Sequence, residues 1–241
     1  MNKLLLAAVV VPVLNVALAR AADSRVFEMR TYYAAPGKLD AVHTRFRDHA
    51  CRLLAKHGIA QLGFWVPADN VENKLIWVAI HPSREAAAQA WKSFFADPDW
   101  QKAFKESEAN GKLVEKVETR FLTATDFSPE IKPVAAGDRV FEMRTYTAES
   151  GRLPNLLARF RDHTVKLFKK HGITNIAYWT LMPDQPGADS TLIYILAHKS
   201  QEAAKASFAA FRADPDWIAA RKASEAKAGG SLTVKDGVKS L

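Results

Sequence analysis

The sequence Val-Phe-Glu-Met-Arg-Thr-Tyr occupies residues 26–32 and occurs again, unchanged, at residues 140–146. Self-similarity at a fixed spacing is typical of chains built from repeated structural units. The match continues downstream, where Asp-Pro-Asp-Trp occurs at residues 97–100 and again at residues 214–217. The chain therefore contains two copies of one unit.

The boundaries of the copies follow from the composition between them. Residues 128–138 contain two prolines, a glycine and several small residues, which is a composition typical of a linker. We therefore place the first repeat at residues 25–127 and the second at residues 139–241. The second repeat ends early, because nothing in it matches residues 121–129 of the first.

The residue pattern inside one copy predicts alternating strands and helices. β-Branched and aromatic residues dominate the opening segment, which predicts a strand, and apolar residues then recur at the spacing of a helix face. Gly58 predicts the end of that helix, because glycine readily adopts the left-handed conformation that closes helices. In chain order, the predicted elements are a strand at 26–33, a helix at 39–54, strands at 59–66 and 74–80, helical segments at 86–95 and 99–110, and a strand at 113–123.

This element order, β-α-β-β-α-β, predicts an α+β fold made of two ferredoxin-like units. Each unit covers one face of its antiparallel sheet with its own helices and leaves the other face uncovered. We predict that the two repeats cover each other, packed sheet to sheet. Because side chains alternate along a strand, we expect Glu28, Arg30 and Tyr32 to face away from the unit's own helices. Phe27 and Met29 would then lie on the opposite face.

The first 22 residues differ in kind from the rest of the chain. Lys3 precedes a nearly unbroken apolar run at residues 4–14, and residues 17–21 offer the Ala-x-Ala pattern that signal peptidase reads. The run is shorter than the roughly 20 residues needed to cross a bilayer. We predict a cleaved signal peptide at residues 1–22, a periplasmic or secreted mature protein, and no membrane insertion after cleavage.

Charge and cysteine content limit the possible functions. The formal net charge is +8, but lysine and arginine are interleaved with acidic residues, and no nucleic-acid recognition motif accompanies them. We therefore predict no nucleic-acid partner. The single cysteine, Cys51, excludes an internal disulfide. Its counterpart in the second repeat is Val165, which favours a packing role over a reactive thiol.

Several separated motifs together resemble the NIPSNAP family. The opening strand, followed by the Pro-Gly break at residues 36–37, is similar to the start of NIPSNAP domains, and later motifs follow in that family's order. The resemblance covers both halves of the chain and implies the dimeric α+β barrel fold, formed here within one chain. The family's biochemical activity is poorly defined, so the resemblance implies more about fold than about function. The later motifs are Arg47-Asp48-His49, His57-Gly58, Trp65 and Asp97-Pro98-Asp99-Trp100.

Sequence motifs for nucleotide, zinc and serine-hydrolase chemistry are absent, so the polar residues shared by both repeats are the candidate site. One interpretation is a structural ion-pair network that sets how the repeats register. The other is a site for an anionic or carbonyl-bearing ligand, in which arginine and tyrosine polarise an oxygen. The shared residues are Glu28, Arg30 and Tyr32 in the first repeat and Glu142, Arg144 and Tyr146 in the second.

The first helix of each repeat carries further candidates. Arg47 and His49, with Arg161 and His163 at the equivalent positions, lie on the flanks of its apolar face. Histidine is a common acid–base group, because imidazole titrates near neutral pH. A packing histidine with one hydrogen bond is the alternative interpretation of both positions.

Two tryptophans, Trp65 and Trp179, are candidates either for the lining of a ligand pocket or for the core. No close pair of histidines recurs in both repeats, and we predict neither a metal site nor a cofactor.

The predicted function is binding of a small apolar or phenolic molecule between the sheet and the first helix. A cofactor-independent oxygenase or isomerase, of the kind that the dimeric α+β barrel superfamily includes, is the alternative implied by the resemblance. An envelope scaffolding protein is a third possibility. We expect either a monomer with an internal pseudo-dimer or a homodimer.

Overall fold

A computed structural model describes residues 23–134, 137 and 139–241 of the 241-residue chain. The predicted signal peptide at residues 1–22 lies outside the described residues. Within the part of the chain that is described, no helix is long and apolar enough to cross a membrane.

The two repeats contain the same elements in the same order, which confirms the predicted β-α-β-β-α-β pattern. The first repeat consists of β1 (Val26–Ala34), α1 (Leu39–Arg45), α2 (Cys51–Lys56), β2 (Ala60–Trp65), β3 (Lys74–His81), α3 (Arg84–Ala96), α4 (Pro98–Ser107) and β4 (Val114–Ala124). The second consists of β5 (Val140–Ala148), α5 (Leu153–Arg159), α6 (Val165–Lys170), β6 (Thr174–Leu181), β7 (Thr191–His198), α7 (Gln201–Ala213), α8 (Pro215–Ala228) and β8 (Thr233–Ser240).

A π-helical turn interrupts the first helix of each repeat. The turns Phe46–Ala50 and Phe160–Thr164 join α1 to α2 and α5 to α6. The apolar spacing predicts one regular helix here, because one widened turn leaves the pattern on both sides intact. Turns of this type occur frequently at functional sites.

All eight strands form one sheet in the order β2-β3-β1-β4-β6-β7-β5-β8. Within each repeat the first strand is central: β1 pairs with β3 and β4, and β5 pairs with β7 and β8. The repeats join where β4 pairs with β6, which places Leu122 opposite Leu181 and Ala124 opposite Trp179. The two ferredoxin-like units are therefore packed together within one chain, as predicted.

Side chains alternate along β1 as predicted, but the two faces are the reverse of the prediction. Phe27 and Met29 point into a core shared by both repeats, where the ring of Phe27 lies 5.7 Å from that of Trp179. Glu28 points toward the helices of its own repeat and accepts a hydrogen bond from Trp91 of α3. The space between the repeats is filled mainly by apolar side chains, so a carboxylate there would lack partners. The helix side supplies the partners.

The segment between the repeats is part of the core. Ile131 is 1% exposed and packs in the shared core. The backbone N–H of Val134 donates to the carbonyl of Leu62 at 2.6 Å, along the edge of β2. Although its composition predicts a linker, the described part of this segment fixes the repeats to each other.

One aspartate in each repeat connects the first helix to the last. Asp97 caps α4 by accepting the Asp99 N–H at 2.9 Å, and its second oxygen lies 2.7 Å from His57 Nε2. Asp214 lies 2.6 Å from His171 Nε2 in the second repeat. Through these contacts, each histidine links the end of the first helix of its repeat to the start of the last helix.

Candidate functional site

Glu28 is the centre of a buried hydrogen-bond network on the helix side of the first repeat. Its carboxylate, which is 1% exposed, accepts hydrogen bonds from Arg30 Nη1 and from Trp91 Nε1, each at 2.6 Å. His81 Nε2 lies 3.0 Å from the same carboxylate. The guanidinium of Arg30 also lies 4.3 Å from the centre of the Trp91 ring. Strand alternation places Glu28 and Arg30 on one face, and β3 and α3 supply the other two partners.

Two opposing effects act on the pKa of Glu28. Burial raises the pKa, while hydrogen bonds from His81 and Trp91 and the charge of Arg30 lower it, and the result lies below the ordinary value. Glu28 is therefore ionised at neutral pH. It serves as an acceptor that holds the arginine in place, not as an acid.

The second repeat contains a more open version of this network. Glu142 accepts hydrogen bonds from Arg144 Nε at 2.7 Å and from the hydroxyl of Ser240, and lies 3.3 Å from His198 Nε2. Burial raises the pKa of Glu142, but these three neighbours outweigh it and lower the pKa to about 2. The side chain is 17% exposed, against 1% for Glu28.

A cavity of about 270 Å³ lies beside the network of the first repeat, between the sheet and the helices. Its walls come from β1, β3, β4, α1, the π-helical turn, α2, α3 and α4, and most of the wall residues are aromatic or aliphatic. This volume is below the roughly 300 Å³ at which sites for drug-sized molecules start, so it suits a smaller ligand. The wall includes Arg30, Tyr32, Arg45, Phe46, Trp77, Trp91, Trp100 and Glu108.

Three buried donor groups on this wall have no acceptor among the described residues. They are Arg30 Nε, Arg45 Nε and Trp77 Nε1. Arg45 is 4% exposed and Trp77 is 0% exposed, and Arg45 is held in place because its Nη1 donates to Glu108 at 3.1 Å. An unpaired buried donor destabilises the fold. Arg159, the equivalent of Arg45 in the second repeat, likewise has an Nε without an acceptor, so the cavity is what distinguishes the first repeat.

A larger side chain, Phe168, occupies part of the corresponding space in the second repeat. Phe168 stands at the position of Leu54, and its ring lies 6.3 Å from that of Tyr194, which stands at the position of Trp77. Tyr194 in turn stacks on Tyr178 with ring centres 5.0 Å apart. Burial raises the pKa of both tyrosines well above the ordinary value, so both hydroxyls are neutral. The first repeat is therefore the better candidate site.

The family model for NIPSNAP matches residues 27–129 and 141–231 of the chain. The chain belongs to the NIPSNAP family. The two matched segments agree with the two repeats, so this is a tandem NIPSNAP chain. None of the curated proteins compared with it matches.

Solved structures similar to this NIPSNAP chain cover either one repeat or both. A NIPSNAP family protein from Agrobacterium tumefaciens is 24% identical, with a TM-score of 0.40, and the match covers 44% of this chain and 98% of that one. A protein from Lactobacillus acidophilus named "putative monooxygenase" is 12% identical, with a TM-score of 0.52 over 91% of this chain and 93% of its own. One of the same name from Fusobacterium nucleatum is 10% identical, with a TM-score of 0.56 over 90% of each chain. These two matches support the α+β barrel fold of the whole chain.

The structure brings some of the predicted site residues to the cavity of this NIPSNAP chain. Arg30 and Tyr32 line the cavity, and Glu28 lies behind Arg30 as its acceptor. Arg144 and Tyr146 occupy the equivalent places in the second repeat, where Arg144 Nη1 donates to the Tyr146 hydroxyl at 3.3 Å.

Four other predicted residues do not line the cavity. Arg47 and His163 are exposed and His49 is half-buried. The first residue of each π-helical turn, Phe46 or Phe160, is buried, and the part of the turn that follows it faces outward. Arg161 donates two hydrogen bonds to Asp126, at 2.6 and 2.7 Å. This pair fastens the first helix of the second repeat to the segment that follows β4.

The two predicted tryptophans lie on the other side of the sheet. Trp179 is 0% exposed in the shared core, and the half-buried Trp65 packs against that core with its ring 6.0 Å from that of Phe141. Neither side chain lines the space between the sheet and the first helix. The ends of β2 and β6 direct them toward the opposite repeat.

Sequence reasoning missed most of the cavity wall, including Arg45, Trp77 and Trp91. Arg45 recurs as Arg159, so the comparison of repeats that identified Glu28 contains the signal for it. Trp77 and Trp91 are replaced in the second repeat, and a search for shared residues therefore passes over them.

Proposed function

We propose that this NIPSNAP chain binds one small aromatic molecule bearing a carboxylate or phenolate oxygen, in the cavity of its first repeat. The observation that carries the proposal is the cavity of about 270 Å³ whose wall includes Arg30, Arg45 and Trp77, each with a buried donor that has no acceptor among the described residues. Donors of this kind favour a ligand that supplies an oxygen acceptor.

The shape and charge of the cavity support the same ligand class. The rings of Trp77, Trp91 and Trp100 on its wall offer faces and edges to a planar molecule. The guanidinium groups of Arg30 and Arg45 favour an anion, since charge-assisted hydrogen bonds are the stronger kind. A volume of about 270 Å³ admits one ring with a short substituent, because an apolar cavity of about 150 Å³ already accepts benzene.

Calorimetric titration with benzoate and salicylate tests the proposal. We expect one molecule to bind per chain, because Phe168, in place of Leu54, narrows the corresponding space of the second repeat. Benzyl alcohol, which keeps the ring and lacks the charge, should bind more weakly than benzoate.

The variant Trp77→Phe should weaken benzoate binding by roughly ten-fold or more, because a hydrogen bond to a charged group contributes about 1.5–3 kcal/mol. Trp179→Phe is the matched control: its Nε1 is also buried without an acceptor, but it lies in the shared core. The control should keep the affinity of the unaltered protein. Equal affinities for both variants, or no binding of either anion at millimolar concentration, would contradict the proposal.

Cofactor-independent oxygenation or isomerisation of a phenolic substrate is the second proposed function. It is supported by the guanidinium of Arg30, which lies 5.7 Å from the centre of the Tyr32 ring at the cavity, since such donors can stabilise a developing oxyanion. Among the described residues no histidine lines the cavity, so binding ranks first. Oxygen uptake or product formation with a bound phenol, lost in Arg30→Lys, would favour the enzyme.

We also propose that the protein is exported, on the basis of the signal-peptide pattern at residues 1–22. Mass measurement of the protein isolated from its own cells should give a chain that begins within residues 20–23. A chain that retains Met1 would contradict export by cleavage.

A further inference from the structure

The opening of the first-repeat cavity is mainly apolar. Most residues of the cavity wall are buried or half-buried, and four are exposed: Phe95, Phe104, Lys112 and Val117. Wall residues that solvent reaches mark the place where the cavity opens. Phe95 is 51% exposed and Phe104 is 43% exposed, and no other phenylalanine is exposed in the part of the chain that the structure describes.

The apolar surface is continuous from this opening to the arginines of the cavity. The ring of Phe95 stacks on that of Trp91 with centres 5.4 Å apart, and the guanidinium of Arg30 lies 4.3 Å from the Trp91 ring centre. The ring of Phe104 lies 5.1 Å from the guanidinium of Arg45. An apolar substituent of a ligand held by these arginines would therefore meet aromatic rings as it leaves the cavity.

The second repeat shows that the helices themselves do not require these phenylalanines. Counted from the shared Asp-Pro-Asp-Trp segment, Arg212 stands at the position of Phe95 and Arg221 at the position of Phe104. Both arginines are exposed on the equivalent helices, α7 and α8. An exposed phenylalanine leaves apolar area in water, which an arginine at the same place avoids. Helix packing therefore does not account for the phenylalanines, whereas contact with a molecule outside the chain does.

We propose that the ligand of this cavity is an alkyl-substituted aromatic acid or phenol, whose alkyl chain leaves through the opening and lies on Phe95, Phe104 and Val117. This inference rests on the proposed function, because the anionic ring occupies the cavity and the chain extends it. Single exposed apolar side chains are ordinary, but apolar residues grouped at a cavity mark a binding groove. A volume of about 270 Å³ leaves the end of a longer ligand outside.

Calorimetric titration with benzoate and with para-alkylbenzoates up to para-pentylbenzoate tests the inference. Each methylene group that leaves water should tighten binding by up to roughly four-fold. Since an alkyl chain on an open groove stays partly in water, we expect a gain of at least about ten-fold from benzoate to para-pentylbenzoate.

The double variant Phe95→Arg with Phe104→Arg gives the first repeat the residues of the second. The gain across the series should fall to about three-fold or less, because the chain loses its apolar support. The measured quantity is the ratio of two affinities, so the effect of the added charges on the shared carboxylate cancels. Should the double variant fail to fold, each single variant should lose part of the gain.

Ile218→Arg is the matched control. Ile218 is 49% exposed on α8 and is not part of the wall of this cavity. The control adds a positive charge in place of an exposed apolar side chain and should keep the full gain.

The possible failures of the inference and of the proposed function are distinct. Binding of benzoate with no gain for the longer members would overturn the inference and leave the proposed function intact. No binding of any member at millimolar concentration would contradict both. A gain that the double variant keeps in full would overturn the inference, because the chain would then lie elsewhere. So would a dimer of the ligand-free chain that the double variant dissociates, since the phenylalanines would then serve a second copy.

Discussion

Replacing Glu28 by alanine is expected to lower the free energy of unfolding by about 3–5 kcal/mol, as for other buried ion pairs that lose one partner. The carboxylate is 1% exposed and is surrounded by Arg30, Trp91 and His81. Its removal leaves the guanidinium charge and the other donors buried without an acceptor. Urea unfolding of the two proteins, followed by circular dichroism at neutral pH, measures the difference.

The second repeat supplies the matched control. Glu142→Ala should cost less, because Glu142 is 17% exposed and water can reach the donors that it leaves. Changing Glu28 and Arg30 together to methionine should cost less than Glu28→Ala alone, because no charge then stays unpaired. A loss below about 1 kcal/mol for Glu28→Ala would show that the network contributes little, since such losses are typical of exposed pairs.

The pH dependence has a definite sign. The pKa of Glu28 is lower in the folded protein than the ordinary value, so its contribution is fully present above the unfolded pKa of about 4 and is lost as the pH falls below it. The difference in stability between the unaltered protein and Glu28→Gln should therefore shrink in acid.

The first repeat alone, residues 25–129, is expected to dimerise or aggregate rather than to remain a monomer. Without the second repeat, the face that carries Phe27, Ile76, Val78 and Ile80 loses its cover in the shared core. An apolar face of this size on a soluble protein is an association site. Light scattering over a concentration series measures the outcome.

The full chain serves as the control and should be monomeric under the same conditions. Linking the repeats raises their effective concentration to roughly millimolar, which favours pairing within one chain. A folded, soluble monomer of the single repeat would contradict the prediction. A full-length homodimer is the competing outcome, and it would show that some surface outside the shared core also associates.

The sequence by itself determined the repeat, the element order and the family. Identical strands at residues 26–32 and 140–146 reveal the duplication, and the change from strand to helix periodicity is local information that a single chain displays. The need to cover one sheet face then follows from the element order, which is why the packing of the repeats was predictable.

Tertiary structure alone decided which face of β1 meets the shared core. Alternation separates Phe27 from Glu28 without saying which of the two lies inside, and the answer depends on partners supplied by distant elements. Trp91 comes from α3 and His81 from β3, and no local pattern at residues 26–32 contains them. The same limit applies to Arg47 and His49, because the π-helical turn sets their direction and leaves the apolar period unchanged.

The cavity of the first repeat is likewise decided by tertiary structure. Both repeats share this arginine, Arg30 and Arg144, yet the space beside it differs, because Phe168 replaces Leu54 far from the arginine in sequence. Sequence periodicity reports how each segment is patterned, whereas a cavity depends on the distances between segments, which only the folded chain fixes.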